Sequence, residues 1–357
     1  MAAATAPPAA LLLLPTPTSP TSLRTRFGVT LSNVLPSVAD LVKNSDHVAR
    51  LDLGIVLPKT FSTRLSPRAS VFPRVQALVK DLYALLNRTA TDVGVALDVP
   101  GGVDARIFMF EDQSGHPTDR PQVAHSYSGP IIDLSILVSS GRVYDPVFSV
   151  ESSDGESVLR AFLDLYSARN MSPPSVRKVT VGEAEKAINR EIPELRKAQT
   201  AHKYVAAVGT FGQVGIDEKL VLTATAVILE PETDDTVSPT RRRITIAIKA
   251  DDGWEARQGK VADFFESIVA FSKHVKSTRT VSNIGSESKG VSVRLSPTLT
   301  INYVEMSDQD GPAITDESLS ALVISRGSDG GAKTVNGKRE EKGWSPLEVF
   351  EVDGVGA

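Results

Sequence analysis

The chain has 357 residues, room for about two domains, and a hydrophobic share of 41% with a charged share of 23% excludes global disorder. A net charge of -4 argues against a nucleic-acid-binding surface as the main function. The chain has no cysteine, which excludes disulfides, thiolate metal sites and cysteine nucleophiles.

Near the start, Ala10 to Leu14 is a short apolar run with no Lys or Arg before it and Pro15 after it. A signal peptide wants a basic flank and a longer run, so this segment reads as a buried strand and the mature protein as beginning near Met1, in the cytoplasm. No apolar stretch reaches the ~20 residues that a membrane helix needs. Leu31 to Val42 has helical spacing, and Leu51 to Leu57 reads as a second strand stopped by Pro58. Val75 to Leu86 is strongly amphipathic. Strands are expected at Val93 to Leu97, Ala105 to Phe110 and Ile131 to Leu137, and a helix at Ser157 to Tyr166. The break at Asn170 to Pro174 and the charged, helix-like stretch Val181 to Ala198 read as a linker over 171–200, after a first α/β domain over 9–170.

The alternation restarts over 201–357. Tyr204 to Val208 is a strand, Gly209 to Gly212 a turn and Asp217 to Leu229 a helix. Strands follow at Arg243 to Ile248, Leu299 to Val304, Leu322 to Ile324 and Leu347 to Val352, with helices at Lys260 to Val275 and Lys333 to Lys342. Two polar inserts interrupt the alternation, Pro231 to Thr240 and Ser277 to Lys289, and the second, rich in Ser, Gly and Thr, reads as a surface loop. The expected architecture is therefore two α/β domains, the second a doubly wound parallel sheet. The five histidines (His47, His116, His125, His202 and His274) show no metal-ligand spacing, so no protein-bound metal is expected.

A strand running into Gly209-Thr210-Phe211 and then a helix has the form of a phosphate-binding turn, because a helix N-terminus offers free N–H groups to an anion. Towards the C-terminus stand Ala321-Leu322-Val323-Ile324-Ser325-Arg326, then Lys333-Thr334-Val335-Asn336-Gly337-Lys338-Arg339, then Gly343-Trp344-Ser345-Pro346-Leu347. These segments, with Asp310-Gly311-Pro312 before them and the N-terminal Leu-Leu-Leu-Leu-Pro, resemble the signature of eukaryotic-type phosphopantetheine adenylyltransferases across nearly the whole chain.

That resemblance implies a Rossmann-like nucleotidyltransferase domain over 201–357 and a role in coenzyme A biosynthesis. The reaction would be ATP plus 4'-phosphopantetheine giving dephospho-coenzyme A and pyrophosphate, with Mg²⁺ carried on the nucleotide. It assigns Gly209, Thr210, Phe211, Lys219, Arg326, Asn336 and Arg339 to the nucleotide and Lys260 to the second substrate. The family's motif, Gly-Thr-Phe-Asp-x-x-His-x-Gly-His-Lys, is altered here. Gly212 stands at its Asp, Gly215-Ile216-Asp217-Glu218 at its His-x-Gly-His, and the chain stops at Ala357, before the family's Ser-Ser-Thr-x-x-Arg. No residue is therefore assigned as catalytic, and impaired turnover is expected. The alternative is a non-catalytic paralogue serving as a binding or scaffold subunit among coenzyme A-synthesising enzymes.

Overall fold

The computed structural model describes residues 7–17, 20–58, 61, 67–111, 129–182, 193–196, 200–231, 240–249, 253–271, 277–283, 289–306, 310–327 and 331–356. Two α/β units emerge, and neither is continuous in sequence. The first comprises Met1–Ser62, Asp81–His116 and Ile131–Pro193; the second comprises Thr63–Lys80, Pro117–Pro130 and Glu194–Ala357. No helix among the described residues is long and apolar enough to cross a membrane.

The first unit is built from β1 (Ala9–Leu14), α1 (Pro20–Ala39), β2 (Ala49–Val56), α2 (Phe72–Asp92), β3 (Val103–Phe110), β4 (Ile131–Ile132), α3 (Leu134–Ser139), β5 (Val147–Val150), α4 (Ser153–Ala168) and β6 (Val176–Val179). Residues of α2 up to Lys80 belong to the second unit. The sheet is parallel throughout, in the order β4-β3-β2-β1-β5-β6. Its centre, Ala10 to Leu14, is fully buried, as a strand covered on both faces must be. Pro20 opens α1 at the one helical turn where its missing N–H costs nothing. Leu23, Phe27, Leu31, Val34, Leu35 and Val38 then bury one stripe of that helix. Strand β6 lies inside the stretch read from composition as a linker.

Two strand expectations in this unit are corrected. Val93 to Leu97 is the segment that leaves α2: Gly94 takes a φ of 69° and the Val95 N–H donates to Ala90 O, a glycine-capped helix stop. Only Leu97 makes a single bridge, to Val103. Of Ile131 to Leu137, two residues are strand and the rest enters α3 after Asp133 takes the extended N-cap conformation. A short apolar run has no period long enough to separate strand from helix.

The first unit also buries a charge. Asp52, 0% exposed, accepts both bonds of a bidentate pair with Arg50 at 2.6 and 2.7 Å. The Tyr144 hydroxyl donates to it at 2.7 Å and Arg142 Nη1 at 3.3 Å. Burial alone would raise the carboxyl's pKa, but the Arg50 charge and hydrogen bonds, with Arg142 and Tyr144, hold it below its ordinary value.

The second unit runs β7 (Tyr204–Gly209), α5 (Ile216–Ile228), β8 (Arg242–Lys249), α6 (Trp254–Val269), β9 (Thr278–Asn283), β10 (Lys289–Arg294), β11 (Leu299–Met306), β12 (Ala321–Ser325), α7 (Gly331–Glu341) and β13 (Glu348–Val352). Strand order is β13-β12-β7-β8-β11-β10-β9. The five strands β13, β12, β7, β8 and β11 are parallel, and an antiparallel hairpin, β9 and β10, extends one edge. That hairpin corrects the reading of 277–289 as a loop: Thr278 to Asn283 pairs along its length with β10, giving polar Thr, Ser and Asn residues a ladder that their composition does not announce. Tyr204, Ala206 and Val208 pack with Ala313, Leu322, Ile324 and Val335 of α7 on one face. Successive strand residues alternate, so Val205 and Ala207 point to the other face. Helix α6 begins at Trp254, earlier than its periodicity suggests. His116, His125, His274, most of the charged stretch 181–198 and the interior of the insert 231–240 lie outside the described residues.

At the amino ends of these strands His202 is buried, with Nδ1 3.0 Å from Ser320 Oγ and Nε2 2.8 Å from Glu348 Oε2. The ring meets Phe350 edge-on, and Arg196 pairs with Glu348 at 3.0 Å. Burial lowers the histidine's pKa and outweighs Glu348, which pulls the other way. The unfolded chain therefore takes up a proton first. His202 contributes stability that is complete above its unfolded value of about 6.5 and is lost as pH falls below it. The second unit is expected to melt lower at pH 5 than at pH 7.5, and His202→Gln to flatten that difference; an unchanged pH profile in the variant would show that other groups carry it.

Candidate functional site

In an open α/β sheet, ligands bind beyond the carboxyl ends of the strands, where the strand order reverses. In the second unit the chain goes from β7 to β8 on one side and returns to β12 on the other, so the switch point lies between β7 and β12. The turn after β7 is Gly209-Thr210-Phe211. Phe211 is 1% exposed and adopts a φ of 44°, a left-handed conformation that few residues other than glycine take. Its ring folds back over Gly209, where any Cβ would lie 2.9 Å from it. Glycine at 209 is thus required by the aromatic ring, and the pair sets the sharp turn that delivers the chain to α5. Thr210 is exposed at the tip.

Helix α5 starts at Ile216 behind Gly215, which has no side chain to cap it. Asp217 and Glu218 occupy the first turn, where carboxylates complement the positive end of the helix dipole. Asp217 Oδ1 also accepts the Val355 N–H at 2.9 Å. The place where a bound phosphate would meet the helix start therefore already carries protein carboxylate.

Of the residues expected at the site, the turn residues Gly209, Thr210 and Phe211 end β7, and Arg326 follows the carboxyl end of β12. Arg326 is well exposed, with Nη1 2.7 Å from Asp353 Oδ1 and Nε 3.6 Å from Glu351 Oε2. Lys219 is on the right helix but is 2% exposed, its ammonium 5.5 Å from the Phe264 ring on α6. Lys260 is exposed in the second turn of α6, the helix that follows β8.

Asn336 and Arg339 lie elsewhere. Both face the amino-terminal edge of the sheet, the opposite end from Gly209. Asn336 donates to Leu347 O at 3.1 Å and accepts the Leu347 N–H at 2.8 Å, clamping the entry to β13. Arg339 is 0% exposed. Its Nε donates to Ser345 O, Nη1 to Ala313 O and Asp316 O, and Nη2 to Glu317 O and Leu319 O, at 2.7 to 3.3 Å. A guanidinium has five N–H donors, and all five are used on backbone carbonyls. Their i, i+3 spacing does place both on one helix face, but that face meets the 313–319 and 345–347 loops.

Two residues that sequence reasoning passed over lie at the carboxyl end of the sheet. Asp353 directly follows β13, and Lys80 Nζ lies 3.9 Å from its Oδ2. A carboxylate just past a final strand beside an arginine just past its neighbour was a readable signal; nothing in the amphipathic pattern around Lys80 singled it out. Among the described residues no group of three or more His, Asp or Glu is placed to hold a metal ion.

The geometry defines an open α/β unit with a glycine turn at its switch point. The chain belongs to the family described as "Domain of unknown function (DUF8446)", whose model matches residues 1–184. A stretch of 62 residues is 42% identical to phosphopantetheine adenylyltransferase of Saccharomyces cerevisiae, covering 17% of this chain and 20% of that protein. The match thus spans a fifth of the relative's length. The glycosyltransferase SnogD from Streptomyces nogalater aligns over 98% of this chain and 88% of its own at 11% identity, but with a TM-score of 0.15, too low to carry an argument.

Proposed function

We propose that the second unit binds a nucleoside triphosphate at the β7/β12 switch point in the manner of a phosphopantetheine adenylyltransferase, and turns it over slowly or not at all. The observation that carries this reading is the Gly209-Thr210-Phe211 turn at the carboxyl end of β7, beside the reversal of strand order. The partial likeness to the yeast enzyme supports the substrate class, ATP and 4'-phosphopantetheine, with Mg²⁺ arriving on the nucleotide. Adenylyl transfer asks a protein mainly to position reactants and stabilise charge developing on phosphate. Arg326 is the cation best placed for that. Asp217 and Glu218 work against it, and this is what favours the second reading, a non-catalytic subunit that binds coenzyme A-synthesising partners.

Removing one preorganised donor from such a site typically costs on the order of 10²–10³ in rate. Pyrophosphate release by the purified chain with Mg-ATP and phosphopantetheine is therefore expected at least about a hundredfold below the enzyme median of ~10 s⁻¹. The triple variant Gly215→His, Asp217→Gly, Glu218→His removes both carboxylates, and the nearest atom to a Cβ at 215 is Glu218 Oε2 at 3.3 Å, which the variant deletes. It should bind ATP more tightly by about tenfold. A wild-type rate near the enzyme median would refute the impaired reading, and a triple variant with unchanged ATP affinity would remove this helix start from the site.

A further inference from the structure

We infer that Arg326 and Lys80 form the anion-binding pair of this site, and that residues 353–355 are its built-in competitor, an autoinhibitory strap. The inference rests on the reading of the β7/β12 switch point as the ligand end. The strap begins where β13 ends. Asp353 places Oδ1 2.7 Å from Arg326 Nη1 and Oδ2 3.9 Å from Lys80 Nζ. One carboxylate thus lies between two cations, the arrangement by which proteins hold a phosphate oxygen pair. Two residues on, the Val355 N–H donates to Asp217 Oδ1 at 2.9 Å, in the first turn of α5. Between these anchors Gly354 runs against the Asp217 carboxylate, where a Cβ would come to 3.1 Å from Oδ1.

The segment therefore spans from the carboxyl ends of β12 and β13 to the start of α5, across the switch point. Both anchors use groups that a bound phosphate would want: the cations at one end, the helix N-terminus at the other. Asp353 supplies the anion in cis, and Asp217 is occupied by the strap's own amide. A phosphate that bridges Arg326 and Lys80 takes the place of the Asp353 carboxylate. Among the described residues its side-chain contacts are few, one ion pair to a well-exposed Arg326, one long ion pair and one exposed hydrogen bond, so the strap is held weakly enough to open.

An affinity measured against a site open a tenth of the time is reduced tenfold. Inorganic pyrophosphate is the probe, titrated calorimetrically into the full chain. Asp353→Asn, which keeps the side-chain volume and removes the charge, should bind it about tenfold more tightly than wild type. Adding Arg326→Ala to that variant should abolish the gain. Hydrogen exchange supplies a readout independent of affinity: pyrophosphate should speed exchange of the wild-type peptide over 351–356, because the ligand releases the Val355 amide. Tryptophan emission from Trp254 and Trp344, both in this unit, reports whether the variant is folded. If Asp353→Asn does not fold, Val355→Pro deletes the N–H that Asp217 accepts and tests the same strap. Wild type that binds pyrophosphate as tightly as Asp353→Asn overturns the strap and leaves the nucleotide reading standing. A gain that survives Arg326→Ala overturns the cation pair. No binding of pyrophosphate or ATP by any of these proteins overturns the nucleotide reading and the strap with it.

Discussion

Replacing Arg339 with methionine is expected to cost the second unit about 3–5 kcal/mol, the range seen when one side of a buried charged network is removed. The arginine stacks at 5.3 Å on Trp344 and gives all five donors to the carbonyls of Ser345, Ala313, Asp316, Glu317 and Leu319. Methionine fills the volume but takes away all five donors, including those to the buried Ala313 and Leu319 carbonyls, and each buried orphan costs about 1–3 kcal/mol. Arg339→Lys should recover little, because one ammonium cannot reach five acceptors fixed around a planar fork. Guanidinium unfolding followed by tryptophan emission reads this directly, since Trp254 and Trp344 both belong to the second unit. If the methionine variant keeps the wild-type midpoint, Arg339 is not the clamp of the 313–319 and 345–347 loops. Were it a nucleotide ligand instead, the variant would lose ATP affinity at unchanged stability.

The second large effect is in the first unit. Asp52→Asn keeps the shape of the side chain and removes the charge that Arg50 and Arg142 are buried against. The expected loss is about 3–5 kcal/mol, because the Arg50 guanidinium stays part-buried without the Asp52 charge. Tyr144→Phe, which deletes one hydrogen bond at 2.7 Å, should cost about 1.5–3 kcal/mol, the range for a bond to a charged acceptor. Hydrogen exchange over β2 (Ala49–Val56) is the measurement, since both tryptophans lie in the other unit. The pH dependence follows from the depressed folded pKa of Asp52. Its contribution is complete above the unfolded value near 3.8 and is lost as pH falls through the folded value, which lies below that. The wild-type and Asn variants should therefore converge in acid. A gap in stability that stays constant down to the lowest pH would mean that the carboxylate's charge is not what holds Arg50 and Arg142.

Much of the fold could be read from residue order because the strongest elements carry their own period. The run Ala10 to Leu14 is apolar at every position, which only a strand buried on both faces tolerates at that length, and it is the centre of the first sheet. The amphipathic stripe from Val75 to Leu86 lies within α2, and the glycine turn after Tyr204 to Val208 ends the central strand of the second sheet. The strand β5 and the hairpin strand β9 were not readable. Val147 to Val150 has four residues, too few to show a period, and Thr278 to Asn283 is polar enough to pass for a loop.

The site divides the same way. Local chemistry marked Gly209 to Phe211, because a strand, a glycine and a helix start are neighbours in sequence. It also marked Asn336 and Arg339 as a pair on one helix face, but which end of the sheet that face meets depends on where loops over 313–319 and 345–347 return, and those lie up to 26 residues away in the chain. Lys80 and Asp353 are separated by 273 positions (353 − 80), and Asp217 and Val355 by 138. Sequence alone determined the α/β class and the glycine turn that ends β7, since periodicity and turn chemistry act between near neighbours. Only the tertiary structure decided which cations and carboxylates meet beyond the carboxyl ends of β12 and β13, because ion pairs are set by distance in space, and the strand order that sets that distance is chosen by packing across the whole sheet.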